Sequence, residues 1–222
     1  MLIGHYAPAL LLKTRTPKLP LWVLFVGVEV LDYLWSGFVL TGVEHMRFVP
    51  GINASNGLEL YDMPWSHSLV ATLGWSLLSG AVVFAWLRDR WSAVAMALAV
   101  ASHFALDLVV HVKDLPLLGS DSLKLGFGLW NQFALALIVE VGLFVGAAVA
   151  LTRSPSWKPK RQWPVLAVLM SAGCLASFFI PTPPGSTQMA LTGLALYVIL
   201  PLAAWNVERP FRAGEASAPS PG

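Results

Sequence analysis

Three ionisable residues, His103, Asp107 and His111, recur at i, i+4 and i+8 inside an otherwise apolar stretch. Four residues of α-helix advance about 400° around the axis, so such a triplet forms one stripe that drifts only about 40° per step. Imidazole nitrogens and carboxylate oxygens without thiolates suit zinc, iron or manganese, and a His/Asp zinc site with three protein ligands leaves a position open for water. Other candidates lie in sequence-distant segments. Glu29 and Asp32 stand at i and i+3, Glu140 lies in a later apolar run, and Tyr61-Asp62-Met63-Pro64-Trp65-Ser66-His67-Ser68 supplies two ligand types side by side. Glu29 and Glu140 read as neutral or helix-bonded carboxyls rather than ligands, and His45, beside Glu44, reads as a solvated loop residue. The single cysteine, Cys174, excludes an internal disulfide and a cysteine-based zinc site.

The elements that must carry these residues are membrane helices. The chain is 56% hydrophobic and only 12% charged, with ten Trp and eleven Phe, whereas soluble domains average about 25% charged. A net charge of +2 without a dense Lys/Arg run argues against a nucleic-acid partner. Apolar runs of roughly 20 residues, enough to cross about 30 Å of hydrocarbon, fall near 20–42, 66–88, 92–112, 130–152, 164–181 and 187–205. The predicted fold class is therefore all-α, a polytopic membrane bundle of six spans with a short amino-terminal half-helix. One domain covers 1–206, and a polar tail covers 207–222. The string Pro181-Thr182-Pro183-Pro184-Gly185 predicts a tight hairpin between the last two spans. Lys13, Arg15, Lys18, Arg88, Arg90, Arg153, Lys158, Lys160, Arg161, Arg209 and Arg212 fall on one side of this topology, against Arg47, Lys113 and Lys124 on the other. Basic residues are retained in the cytoplasm, which puts the first group and the carboxy terminus inside.

A depth estimate tests whether the candidates meet. Asp32 lies about twelve residues above the inner start of its span and His103 about eleven above the start of its own, with Asp107 and His111 one and two turns higher. His67, at the outer end of the second span, comes down to the same layer. Residues 1–12 lack the basic start and cleavage site of a signal peptide. They either lie in the interface or dip into the bundle as a half-length helix; only in the second case does His5 join the others.

Gly4-His5, Asp32 in Leu31-Asp32-Tyr33-Leu34-Trp35, Ser66-His67-Ser68, Ser102-His103 with Asp107, and Gly126-Phe127-Gly128-Leu129-Trp130-Asn131 occur in this order. In that order they resemble bacterial membrane-bound metal-dependent hydrolases, over roughly residues 1–131. That family's pattern is Gly-His, Asp-x-Asp, Thr-His-Ser and Ser-His-x-x-x-Asp. Here Ser66 replaces Thr and Asp32 has no acidic partner two residues on, which leaves the metal number open. His111 and Lys113-Asp114-Leu115-Pro116 look like features of a narrower branch. The resemblance implies a bacterial cytoplasmic-membrane protein. The expected metal ligands are His5, Asp32, His67, His103, Asp107 and His111, holding zinc, with iron or manganese as alternatives. Asp62 or Asp107 is expected as general base, and Ser66, Ser68 and Asn131 as substrate-orienting groups. The expected substrate is a lipid-like ester or phosphoester reached from the bilayer at the outer face. The competing expectation is a non-enzymatic bundle in which the same stripe conducts protons or ions or glues helices together. That alternative predicts a polar path through both leaflets, whereas the enzyme predicts a one-sided cup.

Overall fold

The structure, a computed structural model, describes residues 3–180 and 185–208. The tail from 209 onward and the breaker residues 181–184 lie outside the described residues. The chain is mostly helical: α1 (Tyr6–Arg15), α2 (Leu21–Val28), α3 (Val30–Thr41), α4 (Leu69–Leu87), α5 (Arg90–Val110), α6 (Phe133–Thr152), α7 (Trp163–Ser177) and α8 (Ser186–Val207). Helices α4, α5, α6 and α8 are each long and apolar enough to cross a membrane; α2 and α3, bent by 52° at their junction, make a fifth candidate as one broken span. Helix α7, with 15 residues, is shorter.

The expectation of a purely helical chain needs one correction. Two small antiparallel sheets cap one end: β1 (His45–Phe48) with β2 (Leu58–Asp62), and β3 (Leu115–Pro116) with β4 (Lys124–Leu125). Side-chain alternation in such short strands is too brief to stand out against the helical runs around them. The span limits move as well. Helix α4 begins only at Leu69, capped by Ser68, so His67 stands in a turn ahead of the helix. The first span is interrupted at Glu29. Helix α8 runs on to Val207, and Glu208 is anchored rather than part of a loose tail.

The opposite end is basic and tightly tied. Lys13, 4% exposed, pairs with Glu208 at 2.5 Å and donates to Leu19 O at 2.7 Å, while Glu208 also accepts from the Leu21 amide at 2.7 Å. Lys160 N donates to Val207 O, Ser156 Oγ to Thr14 O, and Lys18 pairs with Asp89, which caps α5 through the Ser92 amide. The ends of α1, α5, α6 and α8 that carry the basic residues thus share one pole. Because α6 and α8 both end there, α7 must climb away from it for α8 to return.

Helix α1 does dip into the bundle. It packs against α2, α5 and α6, with Ala9 and Leu10 fully buried, and at about 1.5 Å per residue it covers half a membrane thickness. Around it an apolar core of Leu24, Phe25, Val28, Ala99 and Phe144 fills the basic half of the molecule. The outward faces are apolar too, as Leu73 and Leu77 on α4 and Ile199 and Leu202 on α8 show. Such a surface belongs in lipid. Helix α7 lies on α6 and α8 on α2 and α3, with at most marginal contact between α7 and α8; the turn expected to join them as a tight hairpin lies outside the described residues.

Glu208→Ala leaves the Lys13 ammonium buried without its counter-charge. It should lower stability by about 3–5 kcal/mol, read as thermal unfolding followed by tryptophan fluorescence in detergent. An unchanged midpoint would show that the pole is not held by this pair.

Candidate metal centre

Five of the six proposed ligands are fully buried in one place, and the sixth, Asp32, is 18% exposed toward them. Helix α5 supplies His103 and Asp107 and ends at His111. Asp32 comes from the first turn of α3, His67 from the turn before α4, and His5 from the start of α1. The Nε2 atoms of His67 and His103 lie 3.3 Å apart, and Asp32 Oδ1 is 3.3 and 3.6 Å from them. Donors held about 2.0–2.1 Å from a tetrahedral ion stand about 3.3–3.4 Å from one another. These three groups could therefore hold a metal ion, as could His5, His103 and Asp107. Asp107 Oδ2 lies 3.1 Å from His103 Nε2 and 3.7 Å from His67 Nε2; its Oδ1 lies 3.0 Å from His5 Nε2 and 3.5 Å from His111 Nε2.

The outward nitrogens explain why the inward ones are available. His103 Nδ1 donates to Val28 O at 2.6 Å, which leaves Nε2 as a bare lone pair in the neutral ring. Ser66 Oγ donates to Glu44 Oε2 at 2.5 Å and accepts from His67 Nδ1 at 2.8 Å, so His67 Nε2 is bare as well. His111 Nδ1 donates to Asp114 Oδ1 at 2.8 Å. Asp32 is oriented by Tyr197, whose hydroxyl donates to Oδ2 at 2.7 Å and leaves Oδ1 facing the histidines. Outer partners of this kind fix ring tautomer and direction in metal sites. Two lone pairs facing each other in an apolar interior repel unless a cation lies between them.

Local structure puts each partner in place. A continuous helix would bond the Val28 carbonyl internally; the break at Glu29 (φ −111°, ψ 7°) releases it to His103. Gly27 allows the close approach, since a Cβ there would fall 2.7 Å from Met96 Sδ on α5. The His67 turn is held by Glu44, 1% exposed, whose Oε1 accepts the Trp65 and Ser66 amides at 2.7 and 2.8 Å. The end of α5 is clasped by 126–128: Gly128 N donates to His111 O at 2.7 Å, and a Cβ on Gly126 would lie 1.9 Å from Val112 O.

Other expected site residues lie elsewhere. Asp62 belongs to β2, where it binds His45 Nδ1 at 2.7 Å and accepts from Ser120 Oγ. It is absent from the cavity lining, and no geometry supports a general-base role there. His45 is thus partnered to Asp62 rather than simply solvated. Ser68 Oγ caps α4 by accepting the Ala71 amide at 3.1 Å. Asn131 is exposed in the 3₁₀ turn Leu129–Asn131, while its neighbour Trp130 packs its ring on His111, with centroids 4.2 Å apart. Sequence reasoning passed over Glu44, Tyr197 and the Val28 carbonyl. Tyr197, a hydroxyl inside an apolar span, was a readable signal; a backbone carbonyl released by a helix break without proline was not.

A cavity of about 400 Å³ opens over the site. Leu58 and Leu60 of β2, Trp130, Phe178 and Ile180 after α7, and Met189 of α8 are among its lining residues. Comparison of the chain with family models, curated proteins and solved structures finds no match.

Ser66→Ala removes the link between His67 and Glu44 and should weaken metal affinity about 10–100-fold. Ser68→Ala should cost about 1 kcal/mol of stability through the lost cap and leave affinity unchanged. Metal titration and thermal unfolding of both variants separate the two roles. Ser120 and then His45 hold the Asp62 carboxyl below its usual range. Its contribution is complete above the unfolded value of about 3.9 and disappears as pH falls through the lower folded value. Hydrogen-exchange protection of residues 45–62, corrected for intrinsic rates, should drop on acidification below about pH 4, and Asp62→Asn should remove that dependence.

Proposed function

We propose that this chain is a membrane-embedded metal-dependent hydrolase that cleaves an ester or phosphoester of a lipid-like amphiphile at the outer face of the bacterial cytoplasmic membrane. The observation that carries the reading is the triangle of Asp32 Oδ1, His67 Nε2 and His103 Nε2, with bare imidazole lone pairs directed inward and every outward group tied. Zinc fits this donor set best, with iron or manganese as substitutes. A divalent ion held there lowers the pKa of bound water to near ~7 and polarises a phosphoryl or acyl oxygen. Asp107 serves the site as a ligand rather than a free base, since its two oxygens already face four imidazoles.

The basic pole belongs in the cytoplasm by the distribution of Lys and Arg. The bent pair, α4, α5, α6, the short α7 and α8 then make six crossings. His103 stands about 20 Å above the start of α5 at 1.5 Å per residue, so the site lies in the outer leaflet. The apolar core beneath it supports a closed cup over a conducting path. The apolar cavity wall, together with the loose contact between α7 and α8, supports a substrate that arrives from the bilayer with its chain in the gap and its polar head at the histidines.

Protein purified in detergent should carry zinc, iron or manganese, and Asp32→Ala or His67→Ala should reduce the bound metal at least about tenfold, as removal of a ligand must. The loaded wild type should release headgroup from a short-chain phosphatidic acid in mixed micelles, and a chelator should abolish that turnover. Wild-type protein that takes up none of the three metals would sink the reading.

A further inference from the structure

Several buried polar atoms among the described residues lack a hydrogen-bond partner, and only one of them, Trp35 Nε1, belongs to a residue that lines the cavity. Buried indole N–H groups ordinarily find an acceptor. One that is sealed without a partner loses the hydrogen bond that water would give it in the unfolded chain. Beside a cavity, such a donor calls for an explanation, and a ligand atom that completes the bond supplies one.

The local structure sets Trp35 next to the candidate centre. It follows Asp32 by three residues on α3, which places the two about 60° apart around the helix axis and about 4.5 Å apart along it. Helix α3 runs from the break at Glu29 toward the β1–β2 sheet, so Trp35 stands on the outer side of Asp32. Its side chain, 5% exposed, belongs to the buried cluster that includes Leu58, Leu60, Met63 and Trp130, and no side chain of that cluster carries an oxygen. The hydroxyls that line the cavity nearby are already committed. Ser55 Oγ donates to Trp130 O at 2.8 Å, Ser177 Oγ to Cys174 O at 2.7 Å, and the Tyr197 hydroxyl to Asp32 Oδ2 at 2.7 Å. No lysine or arginine is among the lining residues. An indole N–H donates and cannot accept, so the atom that completes it is an acceptor oxygen.

We propose that Trp35 is a substrate-binding residue whose Nε1–H donates to an oxygen of the phosphoryl or acyl head that enters the cavity beside Asp32. This rests on the hydrolase reading and adds a specificity element to it. The indole selects a head rich in acceptor oxygen over a hydrocarbon or an ammonium head. Held rigidly by its apolar neighbours, it bonds that oxygen without having to reorganise.

The test uses full-length protein with isotope-labelled tryptophan, loaded with zinc in detergent, and reads the indole N–H signals of the ten tryptophans by nuclear magnetic resonance. Trp35→Phe identifies the Trp35 signal by its loss. Titration with a short-chain phosphonate analogue of phosphatidic acid should move that signal downfield, as a newly bonded N–H does. An alkyltrimethylammonium amphiphile of equal chain length, which offers no oxygen, should not. Trp35→Phe should keep the wild-type metal content and lose about 10–100-fold in affinity for the phosphonate, the range for a hydrogen bond to a charged group. Its affinity for the alkylammonium should be unchanged. An unmoved signal in metal-loaded protein overturns the donor and leaves the hydrolase reading standing. A signal moved equally by both amphiphiles overturns it too, since packing alone then accounts for Trp35. Wild type that takes up no metal and shows no shift removes both. Should Trp35→Phe fold poorly, the wild-type spectrum decides alone: if no indole signal moves with the phosphonate, the proposal falls.

Discussion

Bare imidazole nitrogens facing one another inside a bundle of apolar helices form the constraint around which this molecule is arranged. His67 and His103 meet at 3.3 Å with their other nitrogens already committed to Ser66 and to the Val28 carbonyl. Neither contact is a bonus of packing. Each requires a departure from regular helix: a break between α2 and α3 that frees a carbonyl, and a turn at 63–68 that holds His67 ahead of α4. In lipid such departures are tolerated only where protein groups satisfy the released backbone. Here the released groups are the ones that orient the site.

The two halves of the bundle divide the work. At the basic pole, Lys13, Glu208 and the ends of α1 and α8 are locked by buried ion pairing and backbone bonds, over a core of Leu, Phe and Ala. At the other pole the helices are less closely joined, α7 leans on α6 and α8 on α2 and α3, and a cavity fills the difference. The basic pole thus forms a closed base, and the candidate centre lies at the floor of the open half above it. The β1–β2 hairpin closes the top: Ser55 Oγ donates to Trp130 O at 2.8 Å, which ties the roof to the wall that holds His111.

Much of this was legible from residue types and spacing. The i, i+4, i+8 stripe of His103, Asp107 and His111 needs only helical geometry to be placed on one face, and the depth of Asp32 follows from counting residues along its span. The convergence of His67 with them followed from antiparallel neighbours. Asp62 sits five residues from His67 and carries the same chemistry, but strand pairing sets it opposite His45 and outside the cavity lining, which spacing alone does not reveal. Ser68 is found capping α4, and a capping hydroxyl has the same sequence appearance as a substrate-orienting one. Glu44 went unseen because an acidic residue in an outer loop is ordinarily solvated, and only the fold shows it buried against two backbone amides.

The sequence by itself determined that the chain is built of membrane helices, which pole is basic, and which helix faces carry imidazoles and carboxylates, because hydrophobic length, charge placement and helical period are local properties. Tertiary structure alone decided that α1 enters the bundle and brings His5 to Asp107, that the first span breaks at Glu29, and that Tyr197 orients Asp32 and Glu44, through Ser66, orients His67 from distant segments. Those outcomes depend on which buried polar group finds which partner across helices. Such pairings are set by packing between elements and not by the order of residues within them.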